Sequence, residues 1–113
     1  MKPIKSIEEL EFPGSIGNMA FKSISMNEFI NALNKNGWHE GSHTKRYHFF
    51  HSLVERGTMF GIATPNDLAR ALRDGYTLPT KNGYLKRVCR GGACLVIYNG
   101  NEFITLCHAK DEG

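Results

Sequence analysis

The sequence predicts an α+β domain whose N-terminal helices pack on one face of a C-terminal antiparallel sheet. Three observations lead there. Apolar residues recur at helical spacing in three segments between residues 25 and 75. From Tyr84 onward β-branched and aromatic residues alternate around two turn signals, Gly91-Gly92 and Asn99-Gly100-Asn101. Helices first and a strand meander second is the order of an α+β domain with segregated layers. At 113 residues with 41% apolar content, the chain has the size of one domain and enough apolar mass for a core. It divides into an irregular lead-in (1–24), a helical part (25–75) and the sheet (76–108).

Within the lead-in, residues 6–10 can open one helical turn before Pro13-Gly14 breaks it. Ser25-Met26-Asn27-Glu28 has the spacing of a capping box, with Phe29, Ile30 and Leu33 at helical spacing behind it and Asn36-Gly37 at the end. Residues 38–42 read as a linker. A second helix follows, with Tyr47, Phe50, Leu53 and Val54 on one face and Gly57 as its stop. Thr64-Pro65-Asn66-Asp67 supplies a cap, a proline at the first helical position and an acid in the first turn. That third, short helix carries Leu68, Ala71 and Leu72 and ends at Gly75.

The strands are expected at about 84–90, 93–99 and 102–108, with a short edge strand at Thr77-Leu78-Pro79. If Gly100-Asn101 is the turn, Leu95 pairs with Leu106 and Ile97 with Ile104 on one apolar face. Cys94, Val96, Tyr98, Phe103, Thr105 and Cys107 then share the other.

The net charge of +3 says little about partners, but its distribution says more. No Asp or Glu falls between Asp74 and Glu102, a window holding Lys81, Lys86, Arg87 and Arg90. An anion-binding surface is sought there, against the plainer reading of a solvated basic hairpin. No apolar run approaches the 18–20 or so residues of a membrane span, and the N-terminus lacks the apolar stretch of a signal peptide, so a soluble chain is expected. Three cysteines do not make a disulfide scaffold. Cys89 and Cys94 bracket a tight turn and can face each other across two strands, leaving one optional bridge open.

Four of the five histidines, His39, His43, His48 and His51, fall within thirteen positions. On a helical wheel Thr44, His48, His51 and Glu55 form a stripe bordering the apolar face, with His51 nearest the core. A histidine held there by a carboxylate suits general acid or base work near neutral pH. The plain alternative is the polar edge of an amphipathic helix. Metal binding lacks a recognisable pattern, because Cys89-x4-Cys94 is not C-x2-C and no H-E-x-x-H occurs. Phosphate-loop, dinucleotide-binding and nucleophile-elbow motifs are absent too, so no metal and no cofactor are expected.

Cutting RNA without a metal needs a base for the ribose 2′-hydroxyl, an acid for the leaving oxygen and cations for the phosphate. His51 or His48 can serve as base or acid, and Lys86, Arg87 or Arg90 can hold phosphate. Thr105 and His108 on the last strand can donate hydrogen bonds. Tyr84, Tyr98, Trp38 and Tyr47 can stack on unpaired bases, the last two being equally suited to packing.

Residues 47–57 (YHFFHSLVERG), then Gly61-Ile62-Ala63-Thr64-Pro65-Asn66-Asp67-Leu68-Ala69-Arg70 and the glycine-punctuated meander ending Phe103-Ile104-Thr105-Leu106, resemble bacterial toxin domains. These are the C-terminal domains of polymorphic and contact-dependent inhibition systems, of the barnase, colicin and RelE-like ribonuclease architecture. The resemblance spans about residues 25–108. It implies a metal-independent endoribonuclease, often acting on tRNA and leaving a 2′,3′-cyclic phosphate, exported as the tail of a larger protein. It further implies action in the cytoplasm of a target bacterium, a cognate immunity protein in the producer and, in some systems, a host factor of the target cell. The family's catalytic roles would fall on His51 with His48 as substitute, on Arg87 with Lys86, and on Thr105. Two competitors stand beside it: a non-catalytic module binding nucleic acid or protein, and an enzyme on another substrate such as a deaminase or DNase.

Overall fold

The computed structural model describes residues 6–41 and 47–108. It is an α+β fold: α1 (Gly14–Gly17), α2 (Met26–Lys35), α3 (His48–Arg56) and α4 (Pro65–Asp74) lie against a five-stranded sheet. The strands are β1 (His39–Glu40), β2 (Tyr76–Pro79), β3 (Tyr84–Val88), β4 (Ala93–Tyr98) and β5 (Glu102–His108), in the order β1-β5-β4-β3-β2. Strands β2 to β5 form the antiparallel meander, and β1 adds to β5 in parallel. No helix among the described residues is long and apolar enough to cross a membrane.

Each helix buries the stripe its spacing dictates: Phe29, Ala32 and Leu33 from α2, Phe49, Phe50 and Leu53 from α3, Leu68 and Leu72 from α4. The sheet answers with Ala93, Leu95, Ile97, Phe103 and Leu106, all at most 1% exposed. At the centre Phe103 stacks between Trp38 and Phe49, with ring centroids 4.6 Å away on each side. Trp38 therefore packs in the core and is not available to a base. The Thr64 box forms as written: the Asp67 amide donates to Thr64 Oγ1 at 3.1 Å, and the Thr64 and Ala63 amides donate to Asp67 Oδ2. Ser25 caps α2 in position, but its hydroxyl makes no capping bond.

Four local readings are corrected. Of the stretch 38–42 read as a linker, residues 38–41 do more than connect, and Ser42 lies outside the described residues. His39 and Gly41 donate to the Asn101 and Phe103 carbonyls at 2.9 and 2.8 Å, a two-residue parallel strand too short to alternate visibly. Gly57 continues the helix, with φ −55°, into a 3-10 turn, and the stop is Gly61 at φ +76°. The β4–β5 loop has three residues, with Asn99 and Gly100 at φ +55° and +83°. Finally, β5 carries a bulge: Thr105 pairs with Val96 but Phe103 with Ile97, so Ile104 is the extra residue. Leu95 does pair with Leu106, whereas Phe103 turns to the helices instead of joining Thr105.

The outer edge of β5 is closed by two devices. β1 takes its first half, and Arg56 Nη1 donates to the Leu106 carbonyl at 2.8 Å in its second. Glu40 ties both to α3, since the Phe49 and Phe50 amides donate to its carboxylate at 3.0 and 2.9 Å, work no side chain at the N-cap position, Tyr47, performs. Burial nevertheless outweighs those two bonds and the neighbouring His51 charge, and raises the Glu40 pKa above 4.5. A carboxyl whose folded pKa exceeds its unfolded one adds stability below about pH 4.5 that is lost as pH rises through the folded value. Denaturant melts over that window should show wild type losing stability relative to Glu40→Gln as pH climbs. Parallel curves would show that Glu40 titrates normally.

Candidate functional site

The sheet has two faces, and the site lies on the one the helices leave uncovered. Cross-strand partners share a face. One row on the open face runs Thr105, Val96, Lys86, Leu78, a second runs Cys107, Cys94, Val88, Tyr76, and a third runs Glu102, Tyr98, Tyr84. Apart from buried Cys94, these residues are half-buried or exposed.

At the β5 margin α3 brings His48 onto this face. His48 Nε2 lies 3.1 Å from Thr105 Oγ1, joining two of the residues the sequence singled out. Ser52, one turn on, completes the cluster, with its oxygen 3.5 Å from His48 Nε2 and 3.4 Å from Thr105 Oγ1. Ser52 Oγ also donates to the His48 carbonyl at 2.9 Å, which holds it against the preceding turn of α3. Sequence reasoning passed over Ser52, although its i+4 spacing from His48 was the available signal.

Lys86 shares the Thr105 row two strands over, roughly 10 Å away at the sheet's strand spacing, and a lysine spans most of that. Tyr84 and Tyr98 pack ring to ring at 4.8 Å in the adjacent row, which also carries Glu102. The face thus offers an imidazole, the Thr105 hydroxyl, an ammonium and an aromatic pair within two neighbouring rows, with the Ser52 hydroxyl buried behind them. Among the described residues no three His, Cys, Asp or Glu side chains converge as a metal-ligand set.

Four predicted residues are placed elsewhere. His51, expected nearest the core, is exposed beside Glu40, because the arc of α3 facing β5 runs through His48, Ser52 and Arg56. Arg87 is 3% exposed on the helix side, in the row of Leu106 and Leu95. Its Nε donates to the Leu72 carbonyl at 3.0 Å, as does Nη2, while Nη1 meets Thr77 Oγ1 at 2.8 Å and Glu8 Oε1 at 3.3 Å. This arginine caps the C-terminal end of α4 and has no free fork for phosphate. His108, an odd number of residues from Thr105, points the other way, against Phe60. Arg90 is exposed in the β3–β4 loop beside Asp74 and Arg70, also on the helix side. His43 and Thr44 lie outside the described residues.

Arg87→Ala is accordingly expected to cost about 2–3 kcal/mol of stability, since it strips a buried carbonyl of its charged donors. Urea melts measure this. A melt identical to wild type would return Arg87 to the list of candidate phosphate ligands. No protein-family model, no curated protein and no solved structure matches this chain.

Proposed function

We propose that this chain is a toxin domain acting as a metal-independent endoribonuclease, with tRNA as its target class and His48 as its acid–base residue. The observation that carries the reading is the 3.1 Å approach of His48 Nε2 to Thr105 Oγ1 on an open sheet face, in one row with Lys86 and beside Tyr84. His48 takes the proton of the ribose 2′-hydroxyl, and the oxygen attacks the adjacent phosphorus. The bond to the 5′ oxygen breaks, that oxygen leaves as a hydroxyl with a proton from solvent, and a 2′,3′-cyclic phosphate remains. Thr105 donates a hydrogen bond to the phosphate and Lys86 neutralises the charge that builds on it. The Tyr84–Tyr98 pair stacks an unpaired base next to the scissile bond. An immunity protein and, where required, a factor of the target cell belong to the same proposal.

The test is incubation of the purified chain with total bacterial RNA, with and without EDTA and with and without cell extract, followed by sequencing of fragment ends. Discrete cuts that persist in EDTA and end in cyclic phosphate are expected. RNA left intact in every arm would overturn the reading in favour of a binding module, and cuts abolished by EDTA would favour a metal-dependent nuclease.

A further inference from the structure

We infer that Cys94 and Cys107 form a thiol–disulfide modification site, oxidised to a cross-strand bridge by a small disulfide such as oxidised glutathione. The two are direct register partners on β4 and β5. Antiparallel partners stand with Cα atoms about 4.5–5.5 Å apart. That falls within the roughly 4.4–6.8 Å a disulfide requires. Both side chains belong to the open face, and the Cys107 thiol already leans over its partner, donating to the Cys94 carbonyl at 3.6 Å. All three cysteines are reduced thiols in this structure.

The remaining thiol is excluded by position. Cys89 neighbours Val88, the cross-strand partner of Cys94, and so turns to the opposite face, where its thiol donates to the Arg87 carbonyl at 3.7 Å. The bridge across the Gly91-Gly92 turn that the spacing allowed is therefore replaced by one across β4 and β5. Burial also pushes the Cys89 thiol up to about 11, which keeps it protonated and unreactive at neutral pH.

Exposure sets the order of events. Cys107 is half-buried on β5 while Cys94 is 1% exposed, so the oxidant meets Cys107 first. The Cys107 thiolate attacks one sulfur of the glutathione disulfide and expels a glutathione thiolate, giving a mixed disulfide. The Cys94 thiolate then attacks Cys107 Sγ, closing the bridge and releasing the second glutathione. Two electrons pass from the cysteine pair to the oxidant, and the two thiol protons end on the two glutathione thiolates.

The inference is independent of the RNA-cutting proposal, because its readout is covalent. Reduced wild-type protein is equilibrated with oxidised glutathione, alkylated under denaturing conditions and digested with trypsin. Cleavage after Arg87, Arg90 and Lys110 places Cys89 in residues 88–90 and the other two cysteines together in residues 91–110. The expected result is an alkylated 88–90 peptide beside a 91–110 peptide that is unalkylated and two hydrogens lighter. The oxidised protein should also melt roughly 10 °C higher than the reduced one. The Cys89→Ser variant should behave identically. Full alkylation of residues 91–110, or a bridge that includes Cys89, would overturn the inference.

Discussion

Replacing His48 by alanine is expected to lower RNA cleavage about 10²–10⁴-fold, the range lost when a positioned acid–base group is removed. The side chain is half-buried at the margin of α3, so its truncation empties little core and the variant should melt close to wild type. His51→Ala, by contrast, removes an exposed ring away from the Thr105 contact and should leave the rate unchanged. Thr105→Val keeps the shape of the strand and deletes the hydroxyl. It should cost on the order of 10²-fold, as loss of one transition-state donor does, with Thr105→Ser restoring most of the rate. Single-turnover cleavage of one tRNA by the four folded variants measures all of this. A folded His48→Ala variant as active as wild type would remove His48 from the chemistry.

The largest stability effect is expected at Phe103. Phe103→Ala deletes the middle ring of the Trp38–Phe103–Phe49 stack at a fully buried position, where truncation of an aromatic costs about 3–5 kcal/mol. Because β1 pairs with this stretch of β5, and Glu40 of β1 caps α3, the cavity opens beneath the joint that holds His48 in place. Met59→Ala, at a side chain 70% exposed, should stay within about 0.5 kcal/mol of wild type. Urea denaturation at one pH compares the two directly. Equal losses would mean that the stack contributes nothing beyond surface coverage.

Much of this architecture is legible in the sequence because it rests on local rules. The three amphipathic segments and the Thr64 cap follow from spacing and capping chemistry, and the structure reproduces them; Leu95 meets Leu106 as expected because the longer β4–β5 loop and the bulge at Ile104 offset each other. What escaped reading is what depends on distant partners. A two-residue strand such as β1 has no period, and its existence is decided by the Asn101 and Phe103 carbonyls some sixty residues on. Within the site the sequence placed His48 and Thr105 among its candidates without showing that they touch. Arg87 misled for a definite reason: a charge in a strand reads as solvent-facing, yet Arg87 alternates in phase with Leu85, which pairs with Ile97 on the core side. Its burial becomes affordable only because α4 ends where the guanidinium can cap it.

The extra residue at Ile104 gives β5 a reading frame. Ahead of it the strand is phased for the core through Phe103; behind it, Leu106 must point the same way although it lies an odd number of positions later. Deleting Ile104 itself would restore simple alternation, with Phe103, Thr105 and Leu106 keeping their partners Ile97, Val96 and Leu95, whereas losing a residue further along would turn every later side chain to the wrong face. Point changes along β5 are therefore felt one side chain at a time, whereas a change of length by one between Thr105 and His108 is felt by both faces together. Length changes in this strand should be tolerated at Ile104 and in the Asn99–Asn101 loop and excluded from Thr105 to His108, where every residue has its own partner.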